Sequence, residues 1–235
     1  MAYNEDGREQ AGMGITIADY EGDGCPDIFK TNSRMTRRLR ITAMEMVFSR
    51  TAPGTFTPKW TGFTWAANTL NRACLPQQRH GTFAEASTAA GPGITAVSSA
   101  RGLAVGDLRN NGHLAIVISN MNAPPSLLVN ELLSSNPWVA FKTVGTRSNR
   151  DGIGVRITVN AGGRKRTDEV RSGSSDISQS DLRVHFGLRS VNKIDSVEVR
   201  WPSGTVERFN DVSVDAIHTL KEGSGTSTPS RPAKH

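Results

Sequence analysis

The run Asp19-Tyr20-Glu21-Gly22-Asp23-Gly24-Cys25-Pro26-Asp27 sets side-chain oxygens at loop positions 1, 3, 5 and 9. In a tight loop, alternate side chains converge on one point, and Gly24 allows the sharp bend behind them. The Cys25 carbonyl would add the oxygen of position 7. Hard oxygen donors in that number suit calcium. The predicted ligands of one Ca2+ are therefore Asp19, Glu21, Asp23, Asp27 and the main chain of Cys25. An EF-hand loop is excluded, because Lys30 stands where its closing bidentate Glu belongs. The competing reading is a polar Asp/Gly turn whose acids sit in solvent.

A damaged copy of this layout follows at Asp107-Leu108-Arg109-Asn110-Asn111-Gly112-His113-Leu114-Ala115, which keeps only Asp107, Asn111 and Gly112. Arg109 brings a cation where a ligand oxygen belongs, and a guanidinium beside a divalent ion costs Coulomb energy that one Asp cannot offset. Ala115 removes the closing carboxylate. The second turn is expected to be metal-free, with Arg109 paired to Asp107 in place of an ion and His113 exposed.

Both turns need extended segments to hold them. Ile15 to Asp19 reads as a strand entering the first and Ile28-Phe29 as the strand leaving it; Gly102 to Asp107 and Leu114 to Ser119 do the same for the second. Strand, Asp/Gly turn and strand thus occur twice, which is an internal repeat. The composition agrees: 23 glycines, 6% aromatics, and short apolar runs separated by Gly, Asn, Asp and Ser point to a turn-rich all-β protein. Pro124-Pro125 interrupts regular structure after the second copy. From Trp138 onward apolar residues alternate: Val139, Phe141 and Val144; Val155, Ile157 and Val159; Val184 and Phe186; Val197, Val199 and Trp201. Such alternation predicts a β-sandwich or small barrel. Gly162-Gly163 is expected to turn one hairpin and Pro202-Ser203-Gly204 another.

Four segments carry a resemblance: Ser148 to Gly154 (SNRDGIG), Glu169 to Ser175 (EVRSGSS), Ser178 to Leu188 (SQSDLRVHFGL) and Val199 to Gly204 (VRWPSG). Together they resemble the ASPIC/UnbV module found at the C-terminus of cartilage acidic protein relatives. The upstream turns resemble FG-GAP/VCBS blades of integrin-like β-propellers, whose DxDxDGxxD loop holds calcium; here Glu21 replaces the usual Asp or Asn. A propeller needs several blades to close, so the resemblance implies partial blades over 1–133, an ASPIC/UnbV β-sandwich over 134–222 and a disordered tail over 223–235. It also implies a secreted, calcium-associated interaction or adhesion protein whose partner is an extracellular protein or glycan. The start MAYNEDGREQ has no secretory apolar region, so the chain is expected to begin inside a longer one. Departures from the module's pattern are Asp176, where an aromatic is usual, and Arg189, where Gly is usual. The recurring polar residues Asn149, Arg150, Asp151, Gln179 and Asp181 are expected to fix loops through hydrogen bonds.

Ser33 to Phe48 departs from the blade pattern, being basic and patternless. Read one base earlier, Met35-Thr36 encodes Asp and Met44-Glu45-Met46-Val47 encodes Gly, Asn or Asp, then Gly, where the family expects them. The stretch 33–79 is accordingly read as derived from a frameshifted or disordered blade.

The remaining features exclude several classes. His80, His113, His185, His218 and His235 are scattered, and no HExxH, GxSxG or P-loop occurs. A triad of Asp181, His185 and a serine is disfavoured, since His185 reads as a packed strand residue beside Phe186. The expectation is therefore no enzyme; the alternative is an enzyme or biosynthesis accessory protein whose active site lies in blades absent from this chain. The net charge of +6 is concentrated in Lys30, Arg34, Arg37, Arg38, Arg40 and Arg50, opposed there by Glu45 alone. The arginines at 156, 164, 166, 171, 183 and 200 have the spacing of solvent-facing strand positions, so nucleic acid is not an expected partner. Cys25 and Cys74 allow one disulfide or two free thiols. No apolar run is long enough to span a membrane.

Overall fold

The computed structural model describes residues 2–3, 9–10, 12–32, 40–41, 63–64, 73–75, 89–96, 98, 100–131 and 135–227. The protein is all-β, and among the described residues the helical content is one turn, α1 (Pro92–Thr95). β1 (Ala2–Tyr3) pairs with β2 (Glu9–Gln10), β3 (Gly12–Ala18) with β4 (Asp27–Asn32), and β5 (Arg40–Ile41) with β6 (Phe63–Thr64). β7 (Ala73–Leu75) completes an antiparallel sheet in the order β3-β4-β7. Apart from β5, β6 and β7, the stretch read as out of frame lies outside the described residues. After α1, β8 (Ala100–Gly106), β9 (Ala115–Asn120) and β10 (Ser126–Leu128) form a second sheet in the order β10-β9-β8.

The two sheets repeat one another in register. Ala18 pairs with Asp27, Ile17 with Ile28 and Thr16 with Phe29; Gly106 pairs with Ala115, Val105 with Ile116 and Ala104 with Val117. Each residue of the second set lies 88 positions after its counterpart (18 to 106, 17 to 105, 28 to 116). Phe29 from β4 enters one core with Leu103, Val105, Leu114, Ile116, Ile118 and Ile94. Side chains alternate across a strand, so Thr16 and the outward-facing Ile15 and Ile17 fall on opposite faces of β3.

The C-terminal part contains β11 (Trp138–Val144), β12 (Arg156–Ala161), β13 (Arg164–Glu169), β14 (Val184–Gly187), β15 (Ser196–Arg200), β16 (Val206–Phe209), β17 (Ala216–Lys221) and β18 (Thr226–Ser227). They form a five-stranded antiparallel sheet, β13-β12-β15-β16-β18, and a mixed sheet, β14-β11-β17, in which β11 and β17 run parallel. One core joins the two: Val139, Phe141 and Phe186 from the mixed sheet meet Ile157, Val159, Val197 and Val199 from the other. This is a sandwich. Of the alternating residues, Val144 alone is only half-buried; each fully buried Val or Ile contributes roughly 1.5–3 kcal/mol. Gly162 and Gly163 turn the β12–β13 hairpin with φ of 57° and 71°, the geometry that two-residue hairpins favour.

The sandwich extends past the expected start of a tail. Residues 223–227 are ordered by β18 and by the Gly223 and Gly225 amides, which donate to the buried Glu207 carboxylate. Among the described residues, none of the sheets closes on itself.

Candidate functional site

The turn between β3 and β4 is built by its first acid. The Asp19 carboxylate accepts the Asp23 amide on Oδ1 at 3.0 Å and the Gly24 amide on Oδ2 at 2.7 Å. Asp23 Oδ1 accepts the Cys25 amide at 2.9 Å, and the buried Asp27 accepts the Tyr20 amide at 2.9 Å. Gly24 adopts φ 77°, which a side chain would strain. Burial raises the Asp19 carboxyl to about 7, with the charge of Asp23 adding to it and the loop amides opposing. Burial also pushes the Cys25 thiol up to about 11, and Cys25 is a free thiol, so it forms no disulfide with Cys74.

The turn between β8 and β9 has the same bonds without the same acids. Asp107 Oδ1 accepts the Asn111 amide at 3.2 Å, Asp107 Oδ2 accepts the Gly112 amide at 2.7 Å, and Asn111 Oδ1 accepts the His113 amide at 3.2 Å. Gly112 has φ 83°. A loop with Arg at position 3 and Ala at position 9 therefore folds like its acidic counterpart. Backbone amides captured by the leading Asp, as in other Asx turns, account for both bends.

Among the described residues, no three His, Cys, Asp or Glu side chains come together in a way that could hold a metal ion. Asp19 accepts two loop amides, Asp27 accepts the Tyr20 amide, and Asp23 Oδ2 is paired at 2.9 Å with the Arg189 guanidinium. Asp19, Glu21, Asp23, Cys25 and Asp27 thus share a turn without forming one donor set. In the second turn, the expected Arg109–Asp107 pair is replaced: Arg109 contributes its amide to Asp107 Oδ1, and its side chain points into solvent. The arginine that reaches this turn is Arg183, whose Nη2 donates to the Asp107 carbonyl at 2.8 Å and whose Nη1 donates to Asn110 Oδ1.

Arg183 and Arg189 flank β14, so one strand of the sandwich presents a guanidinium to each turn. Arg183 is oriented by Asp181, 2.7 Å from its Nε, and this hydrogen bond raises its pKa further. The Arg189 amide also donates to the Gly22 carbonyl at 3.0 Å. Asn130 and Asn136 donate to the Tyr20 and Glu21 carbonyls, and the Asp181 amide donates to the Val105 carbonyl at 2.8 Å. Gly187 lies so close to Asp19 and Gly22 that a methyl group there would collide with both. Arg166 packs against Gly24, and burial lowers its pKa. Arg166 and Arg183 are consequently half-buried in the interface, whereas Arg156, Arg164, Arg171 and Arg200 are exposed as expected.

Between the turns, a cleft of about 600 Å³ runs along β3, β13 and β14. His185 lines it from the middle of β14 and stacks on Trp138, with ring centroids 5.7 Å apart. Among the described residues, neither of its ring nitrogens bonds to Asp181 or to a serine, so the three do not form a triad. Burial depresses its pKa to about 4, and the imidazole is neutral at physiological pH.

The loops at the far end of the sandwich converge on a carboxylate that sequence reasoning did not single out. Glu222 Oε2 accepts the amides of Thr146, Arg147 and Ser148 at 2.9, 2.7 and 2.7 Å, and Oε1 accepts the hydroxyls of Ser148 and Ser203. The module decided by these loops can be named. Residues 145–227 match the family of ASPIC and UnbV. No curated protein matches the chain. Among the polar residues expected to fix loops, Asn149 closes onto Ile153 through both amide atoms, Gln179 binds Gly173, Arg171 and Ser180, and Asp181 holds Arg183. No helix among the described residues is long and apolar enough to cross a membrane.

Proposed function

We propose that the protein is a non-catalytic, extracellular interaction protein in which FG-GAP/VCBS-like blades present an ASPIC/UnbV sandwich to a protein or glycan partner. The observation that carries this reading is the in-register repeat of strand, Asp/Gly turn and strand, joined to the ASPIC/UnbV match. Further support comes from how the acidic and basic groups around the cleft are used. Asp19, Asp23, Asp107, Asp181, Arg183 and Arg189 all bond within the protein, and His185 is stacked and neutral. The exposed loops and sheet faces are left for recognition.

The test is binding of the whole chain to arrayed glycans and extracellular-matrix proteins. Saturable retention of one class, abolished by unfolding the chain, is the expected outcome. Turnover of a glycosidic, ester or peptide substrate, reproduced in independent preparations, would contradict the reading.

A further inference from the structure

We propose that the ASPIC/UnbV sandwich supplies the counter-charge of the first acidic turn, with Arg189 binding Asp23 directly and Arg166 packed at Gly24, so that the turn is latched by guanidinium groups instead of a divalent ion.

Three observations converge on this assignment. The first is contact: Arg189 Nη2 lies 2.9 Å from Asp23 Oδ2, its amide bonds to Gly22, and both side chains are largely shielded, at 23% and 10% exposure. A charge-assisted bond of that length in a partly dry interface is strong. The second is backbone conformation. Arg189 adopts φ 57°, in the left-handed region where a residue bearing Cβ is strained and Gly is not. An arginine is retained where the backbone favours glycine, and its guanidinium is the group that reaches the acid. The third is charge. Arg166 has its guanidinium against Gly24, with one terminal nitrogen buried and unpartnered, and lies within Coulomb range of Asp19. Two guanidinium groups bring to the loop the same positive charge as one divalent ion. The second turn provides an internal comparison. It lacks the acids of positions 3 and 9, captures the same two amides on its leading Asp, and takes a guanidinium from Arg183 on the other end of the same strand.

The test is a double-mutant cycle on the full chain, using Arg189→Gln, Asp23→Asn and the pair. Each is melted in chelator and in millimolar calcium. Each single variant is expected to lower Tm, the double variant to lose no more than the worse single one, and the parent chain to melt at the same temperature with and without calcium. Additive losses in the cycle would overturn the latch. A calcium-dependent rise in the parent's Tm would overturn it as well, and that measurement requires no variant to fold. Pull-down of a glycan or matrix partner reads out the broader function separately.

Discussion

Arg189 and Asp23 stand 166 residues apart in the chain and meet at 2.9 Å, joining the C-terminal sandwich to the first Asp/Gly turn. At the other end of β14, Arg183 makes the corresponding contact with the second turn through the Asp107 carbonyl. One four-residue strand therefore registers the sandwich on both repeats. Since each turn is already closed by its own leading Asp, the arginines fix the relative placement of the two parts rather than the shape of the loops.

Removing Arg183 tests the second of these contacts. Arg183→Ala deletes the bonds to Asp107 and Asn110 and leaves Asp181 with the residue-183 amide but no guanidinium. A loss of ~2 kcal/mol is expected, the scale of a charged hydrogen bond in a half-exposed site. Urea denaturation followed by tryptophan fluorescence measures it, and an unchanged midpoint would show the contact to be incidental.

Close approach at Gly187 makes a steric prediction. Gly187→Ala places a methyl group against Asp19 and the Gly22 backbone. The sandwich must shift away, at a cost of about 1–3 kcal/mol. Because the clash lies between the parts, limited proteolysis should become faster around the first turn while the isolated sandwich signals in near-UV circular dichroism persist. Identical proteolysis patterns would argue against this packing.

Glu222 gives a pH dependence with a definite sign. Burial alone would raise its carboxyl, but the Ser148 amide, the Ser203 hydroxyl and the Arg147 and Thr146 amides outweigh burial and bring it to about 2, from an ordinary 4.5. The folded value is depressed, so the stabilisation is fully present above pH 4.5 and is lost as pH falls towards 2. Glu222→Gln should melt well below the parent at neutral pH, and the two should converge in strong acid. A gap of constant size across that range would mean that the carboxylate charge is irrelevant to these loops.

A fourth expectation concerns the buried pair of Trp201 and Glu207. Trp201 Nε1 donates to Glu207 Oε2 at 2.7 Å, and Glu207 is 1% exposed. Trp201→Phe keeps an aromatic ring but removes one donor from a buried carboxylate that retains only the Gly223 and Gly225 amides. Destabilisation of ~1–3 kcal/mol follows from the lost partner, beyond the smaller packing change. Chemical denaturation of this variant beside Trp201→Tyr separates the two contributions.

Local patterns in the sequence carried much of the fold. The alternation at Val155, Ile157 and Val159, and at Val197 and Val199, placed these residues in the core, because the side-chain period of a strand is a local property. Gly162-Gly163 and Pro202-Ser203-Gly204 specified their turns for the same reason. The loss of acids from the second turn was legible at Arg109 and Ala115. Its arginine partner was not, because the contact from Arg183 depends on where the chain returns after β13. The surroundings of the first turn were less legible. Its acid spacing is that of a calcium loop, yet the same spacing lets Asp19 and Asp23 capture their own amides, and Arg189 approaches from a distant segment. One clue lay in the sequence itself: arginine where the ASPIC/UnbV pattern usually has glycine. Glu207 and Glu222 left a fainter trace, as acids inside otherwise structured strand and strand-end positions, and nothing local distinguished them from solvated ones.

Backbone amide exchange in the two turns tests most directly the claim that both are closed by aspartate-captured amides and docked by arginines. In chelator, the amides of Asp23, Gly24 and Cys25 should be protected to the same degree as those of Asn111, Gly112 and His113, and calcium should change neither set. Rapid exchange of the first set in chelator, with protection gained only on adding calcium, would contradict the account.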